Sequence, residues 1–135
     1  MTTILCIDDE ESIRVLLKAA LEEAGYRVLT AEHGKHGLRL LEQEKVDLIV
    51  VDIFMPEMDG MELIPLIRKT RPAIKMIAIS GKLGLMDCLD AAKKLGAHDT
   101  LMKPFSVQEL LDAVATQLQS SHPLTQTPRR SWGHR

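Results

Sequence analysis

The 135-residue chain has only two cysteines, no marked excess of either charge, and no apolar run near the roughly 20 residues that span a bilayer. Each shortage excludes something. Cys6 falls in a predicted strand and Cys88 in a predicted helix. Two such cysteines do not make a disulfide framework; reduced, buried thiols fit, and with them the cytoplasm. The start of the chain has no basic stretch leading an apolar core, so neither a secretory signal nor a membrane segment is expected. A net charge of −2 gives no general reason to expect nucleic acid. The charge is uneven, however. From Ser120 onward the chain carries Arg129, Arg130 and Arg135 and no acid, which leaves 14 basic against 19 acidic residues before it, near −5. Nothing repeats, and low complexity is confined to that polar tail. The length suits one domain that buries about two thirds of its unfolded surface.

What is present centres on Val46-Asp47-Leu48-Ile49-Val50-Val51-Asp52. So apolar a run suits a central strand covered on both faces. It ends in a carboxylate, and Met55-Pro56 and Asp59-Gly60 mark the turn beyond. Around it the pattern alternates. Strands are predicted at 3–7, 26–31, 46–52, 75–79 and 99–102. Helices are predicted at 10–24, 35–44, after Asp59, at 85–95 and from Ser106 onward. Ile13, Leu16, Leu17, Ala20, Leu21 and Ala24 form one stripe on the first helix, which Gly25 ends. Asp59 can cap the third helix, where Pro65 removes a backbone donor and predicts a kink or an early end. Gly96 stops the fourth, and Ser106-Val107-Gln108-Glu109 is a capping box for the fifth.

Five strands alternating with five helices imply an α/β fold, a doubly wound parallel sheet in the flavodoxin-like order 2-1-3-4-5. In that order the first and third strands are neighbours. Asp8, Asp9 and Asp52 then meet at one crevice, to which the fourth strand brings Ser80 and the fifth Lys103. Each has an ordinary alternative. Asp8 or Asp9 is a natural N-cap, Asp52 or Ser80 a turn residue, Lys103 a solvated lysine before a proline. Their convergence at one edge favours a site.

The constellation resembles the receiver domain of bacterial response regulators, over residues 3 to 119. The matching pieces are Ile7-Asp8-Asp9-Glu10, Val51-Asp52 with Met55-Pro56 and Met58-Asp59-Gly60, Ile79-Ser80-Gly81 and Lys103-Pro104-Phe105. The resemblance implies a module that accepts a phosphoryl group on Asp52 from a histidine kinase or phosphotransfer protein, then switches binding to a downstream protein target. It implies Mg²⁺ (or Mn²⁺) held by Asp9 directly, Asp8 directly or through water, Asp52 and the backbone carbonyl of Phe54. Ser80 is then the hydroxyl that responds to the phosphoryl group, Lys103 the family lysine, and Lys103-Pro104 a cis peptide. Three positions before that lysine the family usually carries Tyr or Phe; here it is Thr100.

Other classes compete less well. A phosphohydrolase using an aspartyl-phosphate would need a second aspartate where Phe54 stands, so the chain is read as no enzyme beyond its own phosphorylation and dephosphorylation. A scaffold that is never phosphorylated predicts a broken acidic pocket. His33, His36, His98, His122 and His134 lack ligand spacing and read as surface; Glu10, Glu11, Glu22 and Glu23 read as solvated faces. The tail, 120–135, is too short for a DNA-binding domain, so no direct nucleic-acid contact and no membrane contact is expected. A weak homodimer stays open.

Overall fold

The computed structural model describes residues 1–55, 58, 60–81 and 86–119, with the backbone alone for 86–89. Asp59 as a helix cap, the Pro56 turn, Leu85, the side chains of Cys88 and Leu89, and the tail with Trp132, His122 and His134 lie outside the described residues. The elements are β1 (Thr3–Ile7), α1 (Glu11–Glu23), β2 (Arg27–Ala31), α2 (Gly34–Gln43), β3 (Leu48–Asp52), α3 (Gly60–Thr70), β4 (Lys75–Ser80), α4 (Met86–Leu95), β5 (Asp99–Met102) and α5 (Val107–Gln119). All strand pairs are parallel, in the order β2-β1-β3-β4-β5. The expected architecture is borne out.

Strand alternation divides the core in two. Leu5, Ile7, Ile49, Val51, Met76 and Ala78 face Leu41 of α2, Leu63, Ile64 and Ile67 of α3 and Ala92 of α4. Ile4, Cys6, Leu48, Val50, Ile77 and Ile79 face Leu17 and Leu21 of α1 and Leu110 and Val114 of α5. The whole of β3 is buried, as its unbroken apolar run requires. Burying each such side chain contributes about 1.5–3 kcal/mol. Cys6 is free and fully buried; burial and then the charge of Asp8 push its thiol up to about 12, which keeps it unreactive.

Three local expectations need correction. α3 does not end at Pro65 but runs on to Thr70. One backbone hydrogen bond is lost there, while Leu63, Ile64 and Ile67 are buried on either side of it and hold the helix to the sheet. The α1 stripe is narrower than its sequence suggests: Leu17, Ala20 and Leu21 are buried, Ile13 is half-buried, and Leu16 and Ala24 are exposed. Leu16 lies about 100° around the helix from Leu17, off the packed face. His98 is no surface residue. Its Nδ1 accepts the Met76 N–H at 3.1 Å, and burial, Lys75 and Arg68 bring its pKa down to about 4. Elsewhere local chemistry follows the sequence. Gly25 and Gly96 sit at positive φ past α1 and α4. The capping box forms in both directions, Glu109 N–H to Ser106 Oγ at 3.0 Å and Ser106 N–H to Glu109 Oε1 at 2.9 Å.

Candidate functional site

Register brings the site together. Ile7 pairs with Val51, so Asp8 and Asp52 follow at the same level on adjacent strands. Asp52 pairs with Ile79, and Ser80 with Met102, which places Lys103 next along β5. The Lys103 N–H continues the ladder to the Ser80 carbonyl at 2.7 Å, and Lys103-Pro104 is cis as expected.

Asp8 is held on every side. Its N–H donates to the Ala31 carbonyl at 3.1 Å, and Arg14 Nη1 donates to its own carbonyl at 2.8 Å. Its Oδ1 accepts the Glu10 N–H at 2.9 Å. This is a local turn leading into α1, whose N-cap is Glu10 without a side-chain cap bond, so the expected N-cap role of Asp8 is corrected while its place in the site stands. Oδ2 of Asp8 stands 3.0 Å from Lys103 Nζ, an ion pair without hydrogen-bond alignment, and this buried oxygen has no hydrogen-bond partner. Asp52 divides its oxygens similarly. Oδ1 accepts the Phe54 N–H at 2.9 Å, which shapes the turn after β3, and Oδ2 lies 3.3 Å from Lys103 Nζ.

The third carboxylate at the ammonium belongs to Glu10, with Oε1 2.8 Å from Lys103 Nζ. Its assignment to a solvated face is therefore corrected. The available signal was its place, one residue beyond Asp8-Asp9 and just before α1, where a long side chain can fold back over the crevice. One oxygen from each of Asp8, Glu10 and Asp52 falls within 4.8 Å of the others. Asp9 is exposed and is not one of these three. It lines the cleft of about 410 Å³ together with Glu10, Asp52, Phe54, Gly81 and Lys103. Ser80 is buried at the adjoining strand end.

The electrostatics follow from burial and crowding. Burial raises the Asp52 pKa to about 6; the Phe54 N–H counters this and the Asp8 charge adds to it. Burial also raises Asp8, against the Glu10 N–H and Lys103. Burial alone would lower Lys103, but Glu10, Asp8 and Asp52 outweigh it and hold the amine charged. Lys103 in turn holds the exposed Glu10 below the usual carboxylate range. Buried carboxylates kept above their ordinary range, and an Asp8 oxygen lacking a hydrogen bond, are what a hard divalent cation such as Mg²⁺ relieves, so the donor set fits one.

A pH dependence follows, with its sign fixed by the raised Asp52 pKa. Without metal, the folded protein holds a proton on Asp52 that the unfolded chain releases near pH 4. The group's contribution to stability is fully present below about pH 4 and lost as pH rises through about 6. Denaturant titrations of native protein and Asp52→Asn in chelator should show native losing ground by on the order of 2 kcal/mol between pH 4 and 7.5. A pH-independent difference would show that Asp52 is not so perturbed.

Comparison with known proteins places these features. The response regulator receiver domain family matches residues 4–115. Sporulation initiation phosphotransferase F of Bacillus subtilis is 33% identical over 115 residues, covering 85% of this chain and 92% of that protein. The transcriptional regulatory protein GlrR of Escherichia coli is 38% identical over 122 residues, 90% of this chain but 27% of GlrR. The chain thus spans about a quarter of that longer relative. Among solved structures, a response regulator receiver domain protein from Clostridium thermocellum superposes with TM-score 0.82 at 34% identity, covering 87% of this chain and 94% of that one. TrrA of Thermotoga maritima, solved in complex with Mg(2+)-BeF, gives 0.78 at 35% identity, covering 87% and 99%.

Proposed function

The chain belongs to the response regulator receiver domain family, and from that membership we propose that Asp52 accepts a phosphoryl group in a two-component phosphorelay. Such domains are signalling modules rather than enzymes that turn over a substrate. The observation that carries the assignment is the buried Asp52 carboxylate at the end of β3, with the Lys103 ammonium 3.3 Å away and Asp8 beside it.

Asp8, Asp9 and Asp52, with the Phe54 carbonyl, would hold Mg²⁺ or Mn²⁺, which supplies the positive charge that lets Asp52 stay ionised beside two other carboxylates. A carboxylate oxygen of Asp52 attacks phosphorus. The bond from phosphorus to the donor's imidazole nitrogen or acyl oxygen breaks, and the donor leaves with that electron pair. The protein's part is position and charge. Lys103 donates to the phosphoryl oxygens, and the Ser80 hydroxyl donates to one of them after transfer. The product is a mixed anhydride, which water cleaves, so the signal is self-limiting. Intact mass after incubation with acetyl phosphate and Mg²⁺ tests this: one phosphoryl adduct that decays is expected, and no adduct would refute it. A never-phosphorylated scaffold has no use for a complete acidic pocket.

The donor is a histidine kinase or phosphotransfer protein, and the product state is read by a downstream protein, in the cytoplasm. Residues 1–119 are assigned to the receiver and 120–135 to a polar basic tail. No described helix is long and apolar enough to cross a membrane. Leu16, 40% exposed on α1, the helix that follows Asp8 and Asp9 in the chain, would meet the donor. Leu16→Ala should slow transfer from the cognate kinase several-fold, while acetyl phosphate labelling and stability change little. Equal transfer rates would remove α1 from the docking surface.

Thr100 lies in β5 opposite Ala78, its N–H on Asp99 Oδ1 at 2.8 Å. A threonine cannot fill the space of the family's ring. Phosphorylation favours the active state only through differential contacts, and one such contact is missing here. Thr100→Tyr is expected to change the ratio of phosphorylated to unphosphorylated affinity for the natural partner. An unaltered ratio in equally phosphorylated proteins would show that the switch does not differ there.

A further inference from the structure

We propose that Glu10 is a positioning residue for Lys103: it draws the ammonium towards the outer edge of the cleft and so weakens its hold on the inner oxygens of Asp8 and Asp52, for which a divalent cation competes. The inference rests on the functional reading above, in which Asp8 and Asp52 hold that cation. An ammonium has three N–H donors, and this one faces three carboxylates, at 2.8 Å for Glu10, 3.0 Å for Asp8 and 3.3 Å for Asp52. The shortest contact is to the outermost group. The Glu10 side chain is 56% exposed, whereas those of Asp8 and Asp52 are 0% and 5% exposed. The inner Asp8 oxygen receives charge from Lys103 but no aligned hydrogen bond.

The local chain makes this placement possible. Glu10 stands just before α1 with extended backbone, φ −91° and ψ 118°, and its side chain makes no capping bond. Its N–H is tied to Asp8 Oδ1 at 2.9 Å, so the residue is anchored to one inner carboxylate while its own carboxylate reaches Lys103. The ammonium and a divalent cation seek the same oxygens, and like charges a few ångströms apart in a partly buried cleft repel strongly. A group that holds the ammonium outward therefore weakens its competition. Without Glu10, the ammonium settles on Asp8 and Asp52. Cation affinity then falls twice over, from the lost negative charge and from the stronger competitor. Without Lys103, only the first effect remains. The two substitutions cannot be additive.

Mn²⁺ binding followed by electron paramagnetic resonance, on full-length protein, reads this without any phosphorylation. The set is native, Glu10→Gln, Lys103→Met, the double variant, and Glu11→Gln. The last removes the same charge one residue further on, where no contact with Lys103 exists among the described residues. Circular dichroism checks that each is folded. Lys103→Met alone should bind Mn²⁺ more tightly. Glu10→Gln should weaken binding about tenfold in the native background and about threefold in the Lys103→Met background, and Glu11→Gln less than about twofold. Equal losses in both backgrounds, or a Glu11→Gln loss matching that of Glu10→Gln, would overturn the proposal while leaving the cation site standing. A native protein that binds no Mn²⁺ would overturn the site and the proposal together.

Discussion

Asp52→Asn is expected to yield a folded protein that takes up no phosphoryl group at all. Native protein incubated with acetyl phosphate and Mg²⁺ should gain the mass of one phosphoryl group, and the variant none. Chelator should reduce the native protein to the same result. The loss is complete because an amide is no nucleophile toward phosphorus at neutral pH. No other buried carboxylate replaces it. Among the described residues Asp8 is the only other buried carboxylate, and its Oδ1 is committed to the Glu10 N–H. The fold should survive, since the asparagine side-chain oxygen can still accept the Phe54 N–H that Asp52 Oδ1 accepts at 2.9 Å. Residual adduct on the folded variant would relocate the acceptor. Labelling that persists in chelator would remove the metal from the argument.

The second large effect is expected at Gly60, the first residue of α3. A Cβ there would stand 2.7 Å from Ile53 Cα and 2.8 Å from the Asp52 carbonyl oxygen. Both are backbone atoms of the turn that carries Asp52, and neither can yield as a flexible side chain would. Gly60→Ala must push α3 away from the end of β3, and overpacking of this kind costs about 1–3 kcal/mol. Gly25→Ala is no such test, because a Cβ there meets nothing within 4 Å and its cost comes from positive φ alone. In urea melts Gly60→Ala should be destabilised by about 2 kcal/mol, with acetyl phosphate labelling slowed even where the protein is fully folded. Native labelling rates in the folded variant would mean that the turn absorbs the shift without moving the carboxylate.

How far the sequence could be read depended on whether a residue's role is set along the chain or across it. β3 was legible because a strand covered on both faces leaves no polar position until its end, and that end is Asp52. The strand order followed from the alternation of elements and the doubly wound order that suits five strands. Asp8, Asp52, Ser80 and Lys103 were legible because each closes a strand. Glu10 was not, because its role depends on reaching across the cleft to Lys103, 93 positions later. His98 was missed for the same reason: a histidine between a helix-ending glycine and a strand looks like loop, and only the β4 backbone reveals its partner, the Met76 N–H. The early end allowed for at Pro65 does not occur because the rule for a helix proline counts the lost donor and ignores the buried side chains around it. At α2 the boundary shifted by one residue because the His33 ring accepts the His36 N–H and starts the helix at Gly34.

The sheet order also sets a hierarchy of opening free energies. β3 is hydrogen-bonded to β1 on one side and β4 on the other, whereas β5 is a four-residue edge strand paired with β4 alone. In deuterium exchange, the amides of Ile49, Val50 and Val51 should open only with the whole domain, and those of β5 through smaller local excursions. Asp52 is the last residue of the slow strand and Lys103 follows the fast one. The carboxylate proposed to take the phosphoryl group is thus fixed to the most persistent part of the molecule. The ammonium that must exchange one partner for another hangs from an edge strand held on one side only.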